Sequence, residues 1–204
     1  MPRVVDHDQR RREVALAATT LIARNGIDGA TVRDIARAVG YSTKIVSSYF
    51  SDKRELLLLV YRSSAERTRN RLTNARALGG DDILACVDAL LPLDAERRTD
   101  WAVIMAFWGM AVADSAFSRE QRRRVRSVRQ FLSAVIENGV AVGQLPDDTD
   151  AEQVAADLLT AVTGIAAQVH FDPSYWTADR QRALVARAIG RELTPAAATA
   201  AKLH

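Results

Sequence analysis

The sequence predicts an all-α protein in which a small N-terminal helical domain is followed by a larger helical bundle. Apolar residues recur at the three- and four-residue spacing of helices along most of the 204 residues. Gly and Pro are scarce and fall where these periodic segments end. No run of alternating β-branched residues indicates a strand.

The first helix is predicted over residues 8–25, where one apolar face repeats until the pair Asn25-Gly26. Glycine accepts the left-handed backbone conformation that often ends a helix, so the pair is expected to stop this one. The residues expected on the buried face are Val14, Ala17, Ala18, Leu21 and Ile22.

Two short helices are predicted next, over residues 32–39 and 43–49. Thr31 and Ser42 are placed to cap their N-termini, because a hydroxyl oxygen can accept a hydrogen bond from a backbone N–H of the first turn. Gly40 permits the sharp turn between them. The residues expected to pack the two helices together are Ile35, Ala36, Val39, Ile45 and Val46.

Longer helices are predicted over the rest of the chain. The fourth should be capped by Ser51 and end near Leu78, before Gly79-Gly80. The remaining helices are predicted at 82–91, 95–114, 119–142, 150–170 and 178–192. The corresponding domains are residues 8–54 and residues 55–193.

The composition predicts a reduced, cytoplasmic protein with no membrane partner. Apolar residues make up 48% and charged residues 26% of the chain. No apolar run reaches the roughly 18 residues of a membrane helix, and the N-terminus lacks the apolar core of a signal peptide. The single Cys86 cannot form an internal disulfide, and its apolar surroundings favour a buried structural role.

Positive charge is concentrated at the N-terminus. Up to Arg54 there are ten basic and six acidic residues, whereas the remainder has eighteen basic and nineteen acidic ones. A local excess of this kind favours a polyanionic partner, although many solvated helix faces are also basic.

The segment IARAVGYSTKIV fits a helix-turn-helix, in which the second helix enters the major groove of DNA. The residues predicted to face outward from that helix are Thr43, Lys44, Ser47 and Ser48, whose side chains suit base edges. The surrounding donors suited to phosphates are Thr31, Arg33, Tyr41, Ser42, Tyr49 and Lys53. The alternative is a plain helical bundle with a polar face.

Residues 14–60 resemble the N-terminal domain of TetR-family transcriptional regulators. The matching features are an Ala-rich first helix ending in NG, then DIA at 34–36, GYS at 40–42 and YF at 49–50. The family often has Gly at the position of Lys44 and Tyr at that of Ser47, and the variant IVSSYF resembles the betaine-repressor (BetI-like) branch. A phosphate contact by the usual Tyr therefore does not transfer to Ser47, whereas that of Tyr49 does.

The resemblance implies a homodimer that binds double-stranded DNA and a small-molecule effector, and we expect a ligand-responsive repressor on a palindromic operator. Residues 100–121 also resemble the corresponding region of the BetI-like branch. The last two long helices are expected to form the dimer, with an interface built from Leu158, Leu159, Val162, Ile165, Leu184 and Ile189.

An effector pocket is predicted around the sixth helix, lined by Trp101, Met105, Phe107 and Trp108. The same helical spacing is equally consistent with ordinary core residues. These large side chains favour an apolar or aromatic effector, with a cation allowed.

The sequence leaves other regulatory functions open but does not favour an enzyme. An activator, or a regulator that responds to a protein, remains open. An enzyme is not expected, because the chain has no GxSxG, P-loop or CxxC motif, and neither a cofactor nor a metal site is expected from its His and Cys spacing. The basic run at residues 119–130 is interpreted as a solvated helix face, or as Arg residues that pair with carboxylates across an interface, rather than as a second DNA contact.

Overall fold

The computed structural model describes residues 7–80 and 82–192, and every regular element in these ranges is a helix. The helices are α1 (His7–Gly29), α2 (Val32–Val39), α3 (Thr43–Tyr49), α4 (Lys53–Gly79), α5 (Ile83–Asp88), α6 (Ala95–Ala106), α7 (Trp108–Ala113), α8 (Ser115–Ala141), α9 (Ala151–Phe171) and α10 (Ala178–Glu192). The all-α prediction is confirmed for the described part of the chain.

The described residues form two compact units. The N-terminal unit comprises residues 7–67 and 99–121, and the C-terminal unit comprises residues 68–80, 82–98 and 122–192. The chain passes from one to the other within α4, α6 and α8. The predicted domain boundary between residues 54 and 55 differs from the division between these two units, and it stays a prediction.

The predicted end of the first helix is confirmed by a break inside α1. Gly26 has φ 72° and ψ 178°, so the regular helix stops there and a short helical turn continues to Gly29. Val14, Ala18 and Ile22 are buried on the inner face, whereas Ala17 and Leu21 are half-buried.

The ends of α2 and α3 lie where the sequence predicts them, but two other caps differ. Ser51 does not cap α4, because Asp52 accepts the hydrogen bond from the backbone N–H of Glu55 at 2.7 Å. Asp114 likewise accepts from the backbone N–H of Ala116 at 2.7 Å, and α8 therefore starts at Ser115, four residues before its predicted start. Aspartate is as strong an N-cap as serine, which explains both shifts.

The predicted helix 95–114 is divided in two. Phe107 interrupts it, so that α6 ends at Ala106 and α7 begins at Trp108. Phe107 is only 1% exposed, and its ring stacks on that of Phe117 with 5.4 Å between the ring centroids. The Tyr61 ring packs edge-on against it at 5.5 Å, so all three rings belong to one aromatic cluster of the N-terminal unit.

Helices α9 and α10 pack against each other in the C-terminal unit, and this changes the prediction of a dimer interface. Five of the six proposed side chains are buried within the chain and Leu184 is half-buried, so they form core rather than open surface. The five buried residues are Leu158, Leu159, Val162, Ile165 and Ile189. The outward face of α9 carries Thr160, Gly164, Gln168 and Phe171, and that of α10 carries Ala183, Ala186, Arg187 and Gly190.

In the described part of the chain, α9 has the length and the apolar composition that a membrane-crossing helix needs. Its high Ala and Val content gives this result although no uninterrupted apolar run reaches that length. Its large aliphatic side chains are buried within the C-terminal unit, as in a core helix.

Candidate nucleic-acid interface

The turn between α2 and α3 is fixed by local hydrogen bonds. Gly40 adopts a left-handed conformation with φ 72° and ends α2, and the backbone N–H of Tyr41 donates to the carbonyl of Ala36 at 2.9 Å. The hydroxyl of Ser42 accepts from the backbone N–H of Ile45 at 3.3 Å and begins α3. These bonds set the direction in which α3 leaves α2.

One face of α3 is anchored and the other is open. Val46 is 1% exposed and Tyr49 is 7% exposed, and Phe50 continues the buried side beyond the helix. The four side chains predicted to face outward are all exposed, namely Thr43, Lys44, Ser47 and Ser48. Ile45 is 37% exposed, so the prediction that it packs against α2 is wrong for part of its side chain.

The predicted phosphate donors differ in exposure and in whether their side chains already donate to another group of the protein. Arg33 and Ser42 are exposed. Thr31 is exposed, but its hydroxyl donates to the Asp34 carboxylate at 2.5 Å, and this bond lowers the Asp34 pKa below its usual value. Lys53 is half-buried, and its Nζ donates to the carbonyl of Ile27 at 3.0 Å.

Tyr41 and Tyr49 both form hydrogen bonds with residues of α1. The Tyr41 hydroxyl donates to Glu13 at 2.6 Å, and this bond to a carboxylate raises the Tyr41 pKa. The Tyr49 side chain is buried, and its hydroxyl accepts from Arg10 at 3.3 Å. Tyr49 thus belongs to the packing between α1 and α3, and its phosphate contact stays a prediction.

Arg11 makes the most extensive of these contacts. Its guanidinium donates to the backbone carbonyl of Tyr49, which ends α3, and to the Glu55 carboxylate at 2.6 Å. It also lies over the Phe50 ring, with 4.7 Å from the guanidinium carbon to the ring centroid. We call Arg10, Arg11 and Glu13 the α1 clamp, because together they hold the residues on both sides of α3.

The Arg11 contact has an electrostatic consequence. Arg11 and two bonds from Ser51, one from its backbone N–H and one from its hydroxyl, lower the pKa of Glu55 to about 2. The Glu55 carboxylate is therefore ionised at neutral pH and connects α1 to the first turn of α4. No local sequence pattern predicts this network, because Arg11 and Glu55 are 44 residues apart.

Three arginines of α4 bind carboxylates of the segment 99–121 within the N-terminal unit. Arg54 makes two bonds to Asp114, at 2.7 and 2.8 Å, and Arg62 binds Glu120 at 2.6 Å. Arg67 binds Asp100 at 2.5 Å. The pairing with Arg54 lowers the Asp114 pKa, and Asp100 is only 1% exposed. The helix that follows the candidate reading helix is thus tied to the segment predicted to sense an effector.

The four side chains predicted to line a pocket have unequal surroundings. Phe107 is a core residue of the aromatic cluster, so its assignment to a pocket is corrected, and Trp101 is also buried, at 4% exposed. Met105 and Trp108 are half-buried, and the indole Nε1 of Trp108 is buried without an acceptor among the described residues. Trp108 therefore remains a candidate to meet a ligand.

The C-terminal unit contains an open cavity of about 630 Å³. None of the four predicted pocket residues lines it. Its lining comes from the end of α4, the start of α5 and the end of α8 with the following turn, and includes Ile83, Val135, Asn138 and Leu145. In the described part of the chain, no group of His, Cys, Asp and Glu side chains could hold a metal ion.

Comparison with known proteins agrees with this architecture. Residues 16–60 match the model of the bacterial regulatory proteins of the tetR family, and residues 80–194 match the C-terminal domain of BetI-type transcriptional repressors. The chain is 27% identical to the HTH-type transcriptional regulator BetI of Vibrio atlanticus, covering 95% of this chain and 96% of the relative. It is 24% identical to the HTH-type transcriptional regulator PksA of Bacillus subtilis, covering 91% and 90%.

Solved structures show the same fold. A transcriptional regulator from Rhodococcus is 28% identical, with a TM-score of 0.79, and the match covers 90% of this chain and 95% of that one. A regulator from Saccharomonospora viridis, solved in complex with choline, has a TM-score of 0.84 at 22% identity and covers 91% and 98%. The BetI-type match spans more than half of the chain. The chain therefore belongs to the TetR family of DNA-binding, dimer-forming transcriptional regulators, and within it to the BetI type.

Proposed function

We propose that this regulator is a cytoplasmic, ligand-responsive repressor that binds a palindromic operator as a homodimer. The observation that carries the proposal is the open face of α3, where Thr43, Lys44, Ser47 and Ser48 are exposed while Val46 and Tyr49 anchor the helix. In a symmetric dimer the two copies of α3 would enter successive major grooves about 34–36 Å apart.

The groups around α3 divide into base-reading and phosphate-binding side chains. Lys44 is an exposed ammonium on the first turn of α3, where it can donate to guanine in the major groove. Arg33, Ser42 and Lys53 are the donors we assign to phosphates, since Lys53 still has two N–H groups beyond the one that binds Ile27. The α1 clamp sets the orientation of α3 and is assigned no direct contact.

The homodimer is assigned to the outward faces of α9 and α10 in place of the predicted aliphatic residues. Gly164 and Gly190 are exposed there, and a Cβ atom added at either position would contact no heavy atom of the described residues within 4 Å, apart from the backbone of its own helix. Such small residues allow two helices to approach closely, and Phe171, which is 82% exposed, supplies apolar area. In a two-fold interface each of these residues would meet the same patch of the second copy.

The effector is assigned to the segment around α6 and α7, where Met105 and Trp108 offer partly accessible apolar surface. We infer a mainly apolar or aromatic ligand, with a cation allowed because Trp binds cations on its ring face. The choline found with the structural relative is compatible with that class. The ligand must bind the non-DNA conformation more tightly, and DNA must weaken ligand binding by the same factor.

The proposal is tested by letting the purified protein select DNA fragments from a random pool, with and without candidate amines and aromatic compounds. A palindromic sequence should be enriched, and Lys44→Ala and Ser48→Ala should each weaken its binding by about 1–3 kcal/mol per contact. Both variants should melt like the parent because the two side chains are exposed. Selection of no sequence, or unchanged binding by both variants, would refute the role of α3.

A further inference from the structure

The open face of α3 has one apolar position, and only the structure reveals it. Ile45 is 37% exposed, next to the anchored Val46. A helix turns by about 100° per residue, so when Val46 and Tyr49 define the buried side, Ile45 lies at its edge, and Ser48, one turn further on, lies beside Ile45 on the exposed face. Its polar neighbours on the helix surface, Lys44 and Ser48, are part of the proposed reading face.

The chemistry of the neighbours defines what this part of α3 can recognise. The Ser48 hydroxyl donates its only hydrogen to the backbone carbonyl of Ile45 at 2.7 Å. It can therefore present only lone pairs to a ligand, whereas Lys44 presents only donors. A donor, an acceptor and a branched alkyl group thus lie side by side along one turn of the helix.

We propose that Ile45 is a specificity-determining residue that contacts the 5-methyl group of a thymine in each operator half-site. This inference rests on the proposed function, because it requires α3 to enter the major groove. The thymine methyl is the one apolar group among the patterns that the base pairs present there, so an alkyl side chain on a reading helix selects it over cytosine. The same contact removes the exposed part of Ile45 from water.

The test uses the selected operator and the full-length dimer. Each thymine is replaced by deoxyuridine, which pairs identically but lacks the methyl group, at symmetric positions of both half-sites. For the parent protein, deoxyuridine at one of these positions should weaken binding by about threefold to fivefold per half-site. This is the factor that burying one methyl group provides. The other thymines should show smaller effects.

Two variants connect that loss to the side chain. Ile45→Ala should bind the normal operator more weakly and should no longer distinguish thymine from deoxyuridine at that position. Leu16→Ala is the matched control, since Leu16 is an exposed aliphatic residue of α1, 62% exposed, and is not on α3. It should keep the full discrimination, and all three proteins should have similar melting temperatures.

The outcomes separate this inference from the proposed function. If the parent selects an operator but tolerates deoxyuridine at every thymine, the methyl contact does not exist and the repressor assignment stands. Equal discrimination by the parent and Ile45→Ala would assign the methyl contact to another residue. If no sequence is selected, the proposed function fails and the role of Ile45 fails with it.

Discussion

Replacing Lys53 separates its observed hydrogen bond to the Ile27 carbonyl from its proposed phosphate contact. The Nζ of Lys53 already donates to the Ile27 carbonyl at 3.0 Å, which ties the start of α4 to the end of α1. We propose that the remaining two N–H groups bind a phosphate. Lys53→Met removes both interactions but keeps most of the aliphatic length, so that packing changes little.

The two roles predict effects of different kinds. Losing one partly buried hydrogen bond should lower the free energy of unfolding by about 1 kcal/mol. In urea unfolding, that is a midpoint shift of about 0.5 M for a slope of about 2 kcal/mol/M. Losing one phosphate contact per subunit should reduce the salt slope of DNA binding by about 1.8 per dimer.

Binding at two salt concentrations gives a direct measurement. Between 50 and 200 mM salt, the parent should lose about tenfold more affinity than Lys53→Met. Arg37→Ala is the control, because Arg37 is an exposed cation of α2 that pairs with Asp34 at 3.3 Å, and it should leave the salt slope unchanged. If Lys53→Met is destabilised but keeps the parent salt slope, Lys53 is structural and the phosphate assignment is refuted.

Four further substitutions test other parts of the molecule. Tyr49→Phe removes a hydroxyl of a buried side chain that accepts a hydrogen bond from Arg10, so the free energy of unfolding should fall by about 1 kcal/mol. The salt slope of DNA binding should stay the same, and a changed slope would support a phosphate contact by Tyr49. Folding lowers the pKa of Glu55 from its ordinary value of 4.5 to about 2, so its contribution to stability should be complete above pH 4.5 and be lost as the pH falls through about 2. Glu55→Gln should therefore flatten the acid unfolding curve in that window. Gly164→Arg should give a folded monomer by ultracentrifugation, and a stable dimer would exclude this face of α9. Trp108→Ala should weaken effector binding in titration while operator binding without effector persists, and a collapse of stability instead would make Trp108 core.

The helix ends and the reading motif could be predicted from the sequence because their causes are local. The bounds of α2, α3 and α10 were predicted to the residue. A cap acts over two to four residues, and Gly26 and Gly40 both have a positive φ where a regular helix ends. Where two capping residues were adjacent, as Ser51 and Asp52 are, composition could not determine which carboxylate or hydroxyl accepts the bond.

The tertiary structure decided which side chains remain available for function. Periodicity identifies an apolar face but not what covers it, so Leu159 fits a dimer interface and a monomer core equally well until α10 is placed against α9. Ile45 was expected to be buried for the same reason. Arg11 and Glu55, and Arg54 and Asp114, meet across 44 and 60 residues of sequence, a separation at which no local pattern predicts pairing. The sequence therefore determined most of the helices and the helix-turn-helix motif, whereas packing determined which residues of α3 face solvent and which distant charges hold it in place.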